Sequence, residues 1–308
     1  MTFPTPLTGV VPPLCTPLTP EREVDVRSLL RLVDRLVGAG VSGLFVLGST
    51  SEAAFLTDRQ RRQVVEAVVA HVGGQLPVLA GVIDMTTPRV LDHVESVTSA
   101  GADAVVATAP FYTRTHAAEI ARHFRLLASA SPVPVVAYDI PSAVHTKLDA
   151  GLVLELAAEG VLAGLKDSSG DLAGFRAVVA GARAYPGFAV LTGSELFVDS
   201  ALALGGGGAV PGLANVDPDG YVRLDRLCRG GEWDAARAEQ ERLCGLFGLV
   251  GVGDPVRMGG GSSAIGAFKA ALRLRGVIEC AATAEPQVPL APEEVERVAG
   301  FLAAAGLL

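Results

Sequence analysis

Val161-Leu162-Ala163-Gly164-Leu165-Lys166-Asp167 is an apolar run closed by a lysine. Its length and its lack of polar residues before Lys166 read as a strand buried on both faces. Seven more runs share its character, at residues 9–14, 44–47, 78–82, 104–107, 135–138, 189–191 and 208–210, with this one spanning 162–166. After the first, they begin about every thirty residues until a shorter last step, the length of a strand–helix–strand unit. Helical periodicity fills most of the gaps. Leu29, Leu32, Val33, Leu36 and Val37 form one face behind an Asp25 N-cap, and Thr57-x-x-Gln60 reads as a capping box before Val64, Val65, Val68 and Val69. Eight such units in the α/β class favour a closed (β/α)₈ TIM barrel over an open doubly wound sheet. From about Gly231 only helical patterns follow, at 232–248, 264–274 and 292–304. The expected organisation is therefore a barrel over residues 1–230 and a C-terminal helical region over 231–308.

A barrel of this kind carries its chemistry at the C-terminal ends of the strands. The residues expected there are Ser49, Thr50 and Glu52, then Asp84, then Phe111 and Tyr112, then Tyr138 and Asp139. Lys166 and Asp167 follow, with Gly193-Ser194-Glu195, Val210 and Pro211-Gly212 completing the rim. A lysine amine is costly to bury as a cation, and a neutral amine is a nucleophile toward carbonyl carbon. Lys166 therefore reads either as a Schiff-base nucleophile or as a lysine extending its head to the rim. A nucleophilic lysine needs a proton shuttle, and Tyr138, one strand earlier, is placed for it; the alternative is a core tyrosine bonded to a backbone carbonyl. Ser49 and Thr50 offer two hydroxyls and successive N–H groups suited to a carboxylate, or a plain cap for the next helix. The other two lysines, Lys147 and Lys269, lack a strand context and read as solvated. Asp139 and Asp167 read as loop anchors, and His145 as a surface loop residue in preference to a substrate contact.

The 308-residue chain carries a formal charge of −8 and a pI near 5.2, which argues against nucleic acid or an anionic membrane as partner. Its four cysteines are scattered without ligand spacing, as in a reducing compartment. The start, residues 1–7, lacks a basic region and a long apolar segment, and the longest apolar stretch, 201–214, is broken by glycines and Pro211. A cytoplasmic, soluble protein is the expectation. The histidines show no metal-ligand spacing, so no metal is expected. Gly205–Gly208 precedes a strand, at the wrong end for a phosphate site, and residues 259–263 read as a flexible connection.

Three motifs in register then spell a family. Gly48-Ser49-Thr50-x-Glu52, Tyr138-x-x-Pro141 and Gly164-Leu165-Lys166-Asp167-Ser168-Ser169-Gly170 resemble those of the dihydrodipicolinate synthase and N-acetylneuraminate lyase family. The resemblance covers essentially the whole chain. It implies a class I aldolase or synthase with no separate cofactor, in which pyruvate is held as a Schiff base on Lys166. It further implies that Tyr138 is the general acid/base and that Ser49 and Thr50 hold the pyruvate carboxylate, with Gly193 and Val210 at the substrate. Pro110-Phe111-Tyr112 is similar to the segment whose second aromatic, here Tyr112, reaches a neighbouring subunit's site as a proton relay in a homotetramer.

Departures bear on the second substrate. In the lysine-pathway synthase an arginine two residues after the Tyr-x-x-Pro proline grips the aldehyde's carboxylate; here that position is Ala143. Unless Arg114 or another basic group substitutes, this argues against condensation with aspartate semialdehyde, the 4-hydroxy-tetrahydrodipicolinate synthase reaction. Ser49 looks more like the sialic-acid and sugar-acid aldolases, and residues 207–215 and Thr192–Glu195 look most similar to 2-keto-3-deoxy sugar acid aldolases, so a polyol aldehyde is expected. Ser51 replaces the usual glycine of the turn and is expected to tighten it. A sugar-acid dehydratase shares the same intermediate. A phosphosugar isomerase would need a carboxylate or histidine base in place of Lys166, and a non-catalytic 2-oxo acid sensor would keep the pocket without turnover.

Overall fold

The computed structural model describes residues 4–308, so the reading of the extreme N-terminus falls partly on residues 1–3, outside the described residues. Strands β1 (Gly9–Val10), β2 (Leu44–Val46), β3 (Val78–Gly81), β4 (Ala104–Thr108), β5 (Val135–Asp139), β6 (Gly164–Asp167), β7 (Ala189–Thr192) and β8 (Gly208–Ala209) form one parallel sheet. Its order runs β1-β8-β7-β6-β5-β4-β3-β2. The two ends then meet: Ser42 N–H donates to Val10 O at 2.8 Å, Phe45 N–H to Pro12 O at 2.9 Å and Leu14 N–H to Phe45 O at 2.8 Å. The result is the (β/α)₈ barrel expected from the eight apolar runs.

The first strand is shorter than its apolar run. Pro12 and Pro13 have no N–H to give a ladder, so regular pairing ends at Val10 and continues only as a bridge from Pro13 to Phe45. Asn215 secures this seam. Its side chain accepts from Cys15 N–H at 2.9 Å and donates to Pro13 O at 2.7 Å. On the other side, a Cβ at Gly208 would lie 2.0 Å from Gly9 O, so only glycine lets β8 approach β1 this closely.

Alternation along the strands separates two cores. Phe45, Leu79, Val106, Val136, Tyr138, Leu191 and Val210 fill the barrel interior. Val46, Ala80, Val105, Ala137, Leu165 and Val190 face the surrounding helices. That layer comprises α1 (Val26–Gly38), α2 (Asp58–Val72), α3 (Thr87–Ser99), α4 (Ala117–Ala130), α5 (Pro141–Val144), α6 (Ala150–Ala158), α7 (Leu172–Ala182), α8 (Val198–Ala203) and α9 (Pro218–Arg229). Asp25 caps α1 through Ser28 N–H at 3.0 Å, and Thr57 with Gln60 closes the capping box of α2.

Three further helices follow: α10 (Trp233–Phe247), α11 (Gly260–Leu274) and α12 (Pro292–Ala304). The glycines expected to form a flexible connection instead supply the first turn of α11, with Gly259 as its N-cap. From Gly266 to Leu272 every residue of α11 is buried, including Lys269. Among the described residues, no helix is long and apolar enough to cross a membrane.

Candidate active site

Lys166 and Tyr138 are register partners on β6 and β5. Tyr138 belongs to the barrel interior and Lys166 lies beside it on the same face, 5% exposed. Lys166 Nζ lies 3.9 Å from the centre of the Tyr138 ring and 4.7 Å from that of Phe45. Phe45 and Tyr138 meet edge to face, 6.3 Å between centres. The amine is thus boxed by two aromatic faces, which hold it by cation–π attraction and limit its access to water. Gly193 forms the next wall. A Cβ there would fall 3.2 Å from Lys166 Cε and 2.0 Å from Ser168 Oγ, so the glycine makes room for the lysine stem. Val210 is buried in the same interior layer.

Thr108 is a residue the sequence reading missed. It pairs in register with Tyr138, is 3% exposed, and its hydroxyl finds no hydrogen-bond partner among the described residues. Counting alternate residues back from the end of its strand would have placed it on the inward face.

Ser49 and Thr50 occupy a turn that follows β2 directly. Leu47 adopts a left-handed φ of 59° and Glu52 one of 60°, one on each side of the turn. Ser51 fastens the turn from below: its hydroxyl donates to Leu14 O at 2.5 Å, and its carbonyl accepts from Thr16 Oγ1 at 3.0 Å. Ser49 remains exposed and Thr50 half-buried, open to the mouth.

Glu52 lies at the mouth as expected, but its carboxylate is engaged with the C-terminal region. Its side chain is fully buried in an ion pair with Lys269, and it accepts from Ala284 N–H at 2.6 Å and Gln287 Nε2 at 2.8 Å. The solvated reading of Lys269 is therefore wrong: α11 is buried on all sides from Gly266 to Leu272, and Lys269 there pairs with Glu52 and donates to Ala282 O at 2.8 Å. Lys147 is likewise no free surface group, since it pairs with the buried Asp139 and stands 3.9 Å from Asp167.

The carboxylates divide by their partners. Burial pushes Asp139 up, opposed by hydrogen bonds from Lys147 and Leu148 N–H. Asp167 accepts from Ser169 N–H at 2.8 Å and Ser169 Oγ at 2.6 Å, holding the loop after β6. Burial opposes the charge on Asp84, yet hydrogen bonds from Arg89, His93 and Met85 N–H hold its carboxyl down to about 2. Glu195 differs. Burial raises it above the usual carboxylate range, against the Gly212 and Leu213 N–H groups and the nearby Lys166 charge. Its Oε1 accepts from Gly212 N–H at 2.8 Å.

At Gly212 the mouth closes on three side chains. A Cβ there would meet Phe268 at 3.1 Å, Glu195 Oε1 at 3.2 Å and Thr50 Oγ1 at 3.3 Å. Beyond them opens a cavity of 590 Å³ between the turn after β2 and the helices α10 and α11. Ala143, on the short helix α5 that follows β5, lines it. Tyr112 is outside this assembly, 89% exposed with a left-handed φ of 78°. His145 is also exposed. Arg114 is exposed and does not line the cavity.

Known proteins match both chain and fold. The dihydrodipicolinate synthetase family matches residues 6–305. An uncharacterised DapA-like lyase of Halobacterium salinarum is 36% identical over 270 residues, 88% of this chain and 85% of that one. The 4-hydroxy-tetrahydrodipicolinate synthase of Methanosphaerula palustris is 30% identical over 296 residues, covering 95% and 96%. Among solved structures, dihydrodipicolinate synthase from Bacteroides thetaiotaomicron superposes with a TM-score of 0.92 at 29% identity, covering 98% and 99%. YagE, a protein of the same family from E. coli K12 solved with pyruvate, gives 0.91 at 27% identity, covering 98% and 99%. The chain belongs to the dihydrodipicolinate synthetase family, and with it to the class I pyruvate-dependent lyases.

Proposed function

We propose that this protein makes or breaks the bond between pyruvate and an aldehyde that carries no carboxylate, through a Schiff base on Lys166. The observation that carries the reading is the inward Lys166 amine, in register with Tyr138 and boxed by its ring and that of Phe45. In the cleavage direction the unprotonated amine attacks C2 of a 4-hydroxy-2-oxo acid. Tyr138 passes a proton to the departing hydroxyl, and water leaves an iminium. Tyr138 then removes the C4 hydroxyl proton, the C3–C4 bond breaks, and its electron pair enters the iminium to give an enamine and a free aldehyde. Protonation at C3 and hydrolysis return pyruvate and the amine, with no other cofactor. Ser49 and Thr50 orient the substrate carboxylate, and Gly193 and Val210 shape the space around the lysine. YagE's complex with pyruvate supports this choice of keto acid.

Ala143 sets the limit on the aldehyde. Among the described residues that line the cavity, none is basic, while Glu195 presents a carboxylate. A carboxylate-bearing aldehyde would meet no guanidinium there, which favours an aldolase over the synthase reaction. Tyr112, almost wholly exposed in the single chain, fits a relay delivered to another subunit of a homotetramer. In this mechanism residues 1–230 form the catalytic barrel, residues 231–308 wall the mouth, and the protein works in the cytoplasm. Incubation with pyruvate, borohydride reduction and peptide mass analysis test the mechanism. An adduct on Lys166 is expected; pyruvate binding without one would point to the sensor reading and sink this one.

A further inference from the structure

The cavity beside the turn after β2 is walled largely by hydrocarbon. Phe55 comes from the turn after β2, Phe247 ends α10, and Val250 follows it. Ile265 and Phe268 project from α11 one turn apart, and Ala143 closes the side where an arginine would reach in. Its polar groups are few. Glu52 and Gln287 are engaged with each other, and Glu52 also holds Lys269. Ser49, Thr50 and Glu195 remain at the junction with the barrel mouth, and Ser262 comes from the first turn of α11.

Along the hydrocarbon walls hydroxyls would lose water and gain few partners, whereas an apolar group would gain by leaving water. Size agrees, since 590 Å³ falls within the range of sites that enclose small organic ligands. Glu195 marks where polarity ends. Raised by burial and placed beside Thr50 at the junction, it can meet the one hydroxyl that every 4-hydroxy-2-oxo acid carries at C4.

Resting on the Schiff-base reading above, we infer that the second substrate is an uncharged aldehyde with a bulky apolar body, aromatic or branched. The sequence motifs had favoured a polyol aldehyde; the walls contributed by α10 and α11 favour a hydrocarbon one. The cleavage substrate is then a 4-aryl- or 4-alkyl-4-hydroxy-2-oxobutanoate. Its C3–C4 bond breaks, its C4 hydroxyl proton passes to Tyr138, and the products are pyruvate and the apolar aldehyde.

The test compares pyruvate release from 4-hydroxy-2-oxo-4-phenylbutanoate and from 2-keto-3-deoxygluconate, with borohydride trapping of pyruvate on the same preparation. Burying a phenyl group against these walls predicts a kcat/KM at least about thirtyfold higher for the aryl substrate. Phe55→Ala should narrow that preference by about fivefold or more. Trapping on Lys166 together with equal or faster cleavage of the polyol would overturn the inference and leave the mechanism standing. Failure to trap would overturn both. Preference for the aryl substrate that Phe55→Ala does not alter would remove the cavity as its cause and overturn the inference.

Discussion

Replacing Lys269 by methionine would leave the Glu52 carboxylate fully buried with no cation beside it. Methionine keeps the length and most of the volume of the side chain, so packing changes little and charge changes wholly. The protein cannot hydrate Glu52, because both side chains have no exposed surface. Ala284 N–H and Gln287 Nε2 would still hold one oxygen, but nothing would replace the ammonium on the other. Removing one partner of a buried pair costs about 3–5 kcal/mol. With an unfolding entropy of roughly 0.65 kcal/mol/K for a chain of 308 residues, that is a fall in Tm of about 5–8 °C. Scanning calorimetry at neutral pH measures it. Glu52→Gln in the same chain should restore roughly half of the loss by removing the unpaired charge. Because Glu52 ends the turn that presents Ser49 and Thr50, the single variant should also raise the KM for pyruvate. A fall in Tm below about 2 °C would refute the premise that this pair is a buried ionic contact holding the C-terminal helices to the turn.

Four further variants have defined outcomes. Lys166→Arg should abolish the borohydride adduct, and Tyr138→Phe should lower kcat by about 10²–10⁴ while leaving pyruvate binding largely intact; both are read by pyruvate release and trapping. Ala143→Arg should bring a guanidinium to the cavity and improve condensation onto aspartate semialdehyde by about tenfold or more, measured as kcat/KM for that aldehyde. His123, buried beside Thr87, is held down by burial to about 4 from 6.5. An unfolded chain takes up that proton first as pH falls, so the stability it contributes is whole above pH 6.5 and is lost on acidification toward pH 4. The loss is roughly 3 kcal/mol, and His123→Gln should flatten the denaturation profile across that window.

The barrel was legible because its strands are buried on both faces and therefore read as continuous apolar runs. Lys166 and Tyr138 were legible because each closes such a run, where period-two alternation decides which side chains turn inward. What escaped was whatever depends on contacts remote in sequence. Glu52 looked free at the mouth because nothing near it announces Lys269, and Lys269 looked solvated because Ala267-Phe268-Lys269-Ala270-Ala271 does not reveal that this stretch of its helix is covered all round. The glycines at 259–261 read as loop because propensity was weighed without the packing that makes Gly260 the start of α11. The apolar wall of the cavity needed the placement of α10 and α11 over the barrel, which no local pattern encodes.

The turn after β2 is emplaced early in the chain and finished late. Glu52 is held by groups 232 and 235 residues downstream, and the β1 seam beneath it by Asn215, 200 residues beyond Cys15. A chain emerging from the ribosome through Lys166 already carries the lysine, the tyrosine and both hydroxyls. It still lacks the strand that closes the ring and the helix that anchors the turn. Assembly of the Ser49-Thr50 turn therefore waits on nearly the whole of synthesis, and unfinished chains hold Lys166 without the frame that surrounds it.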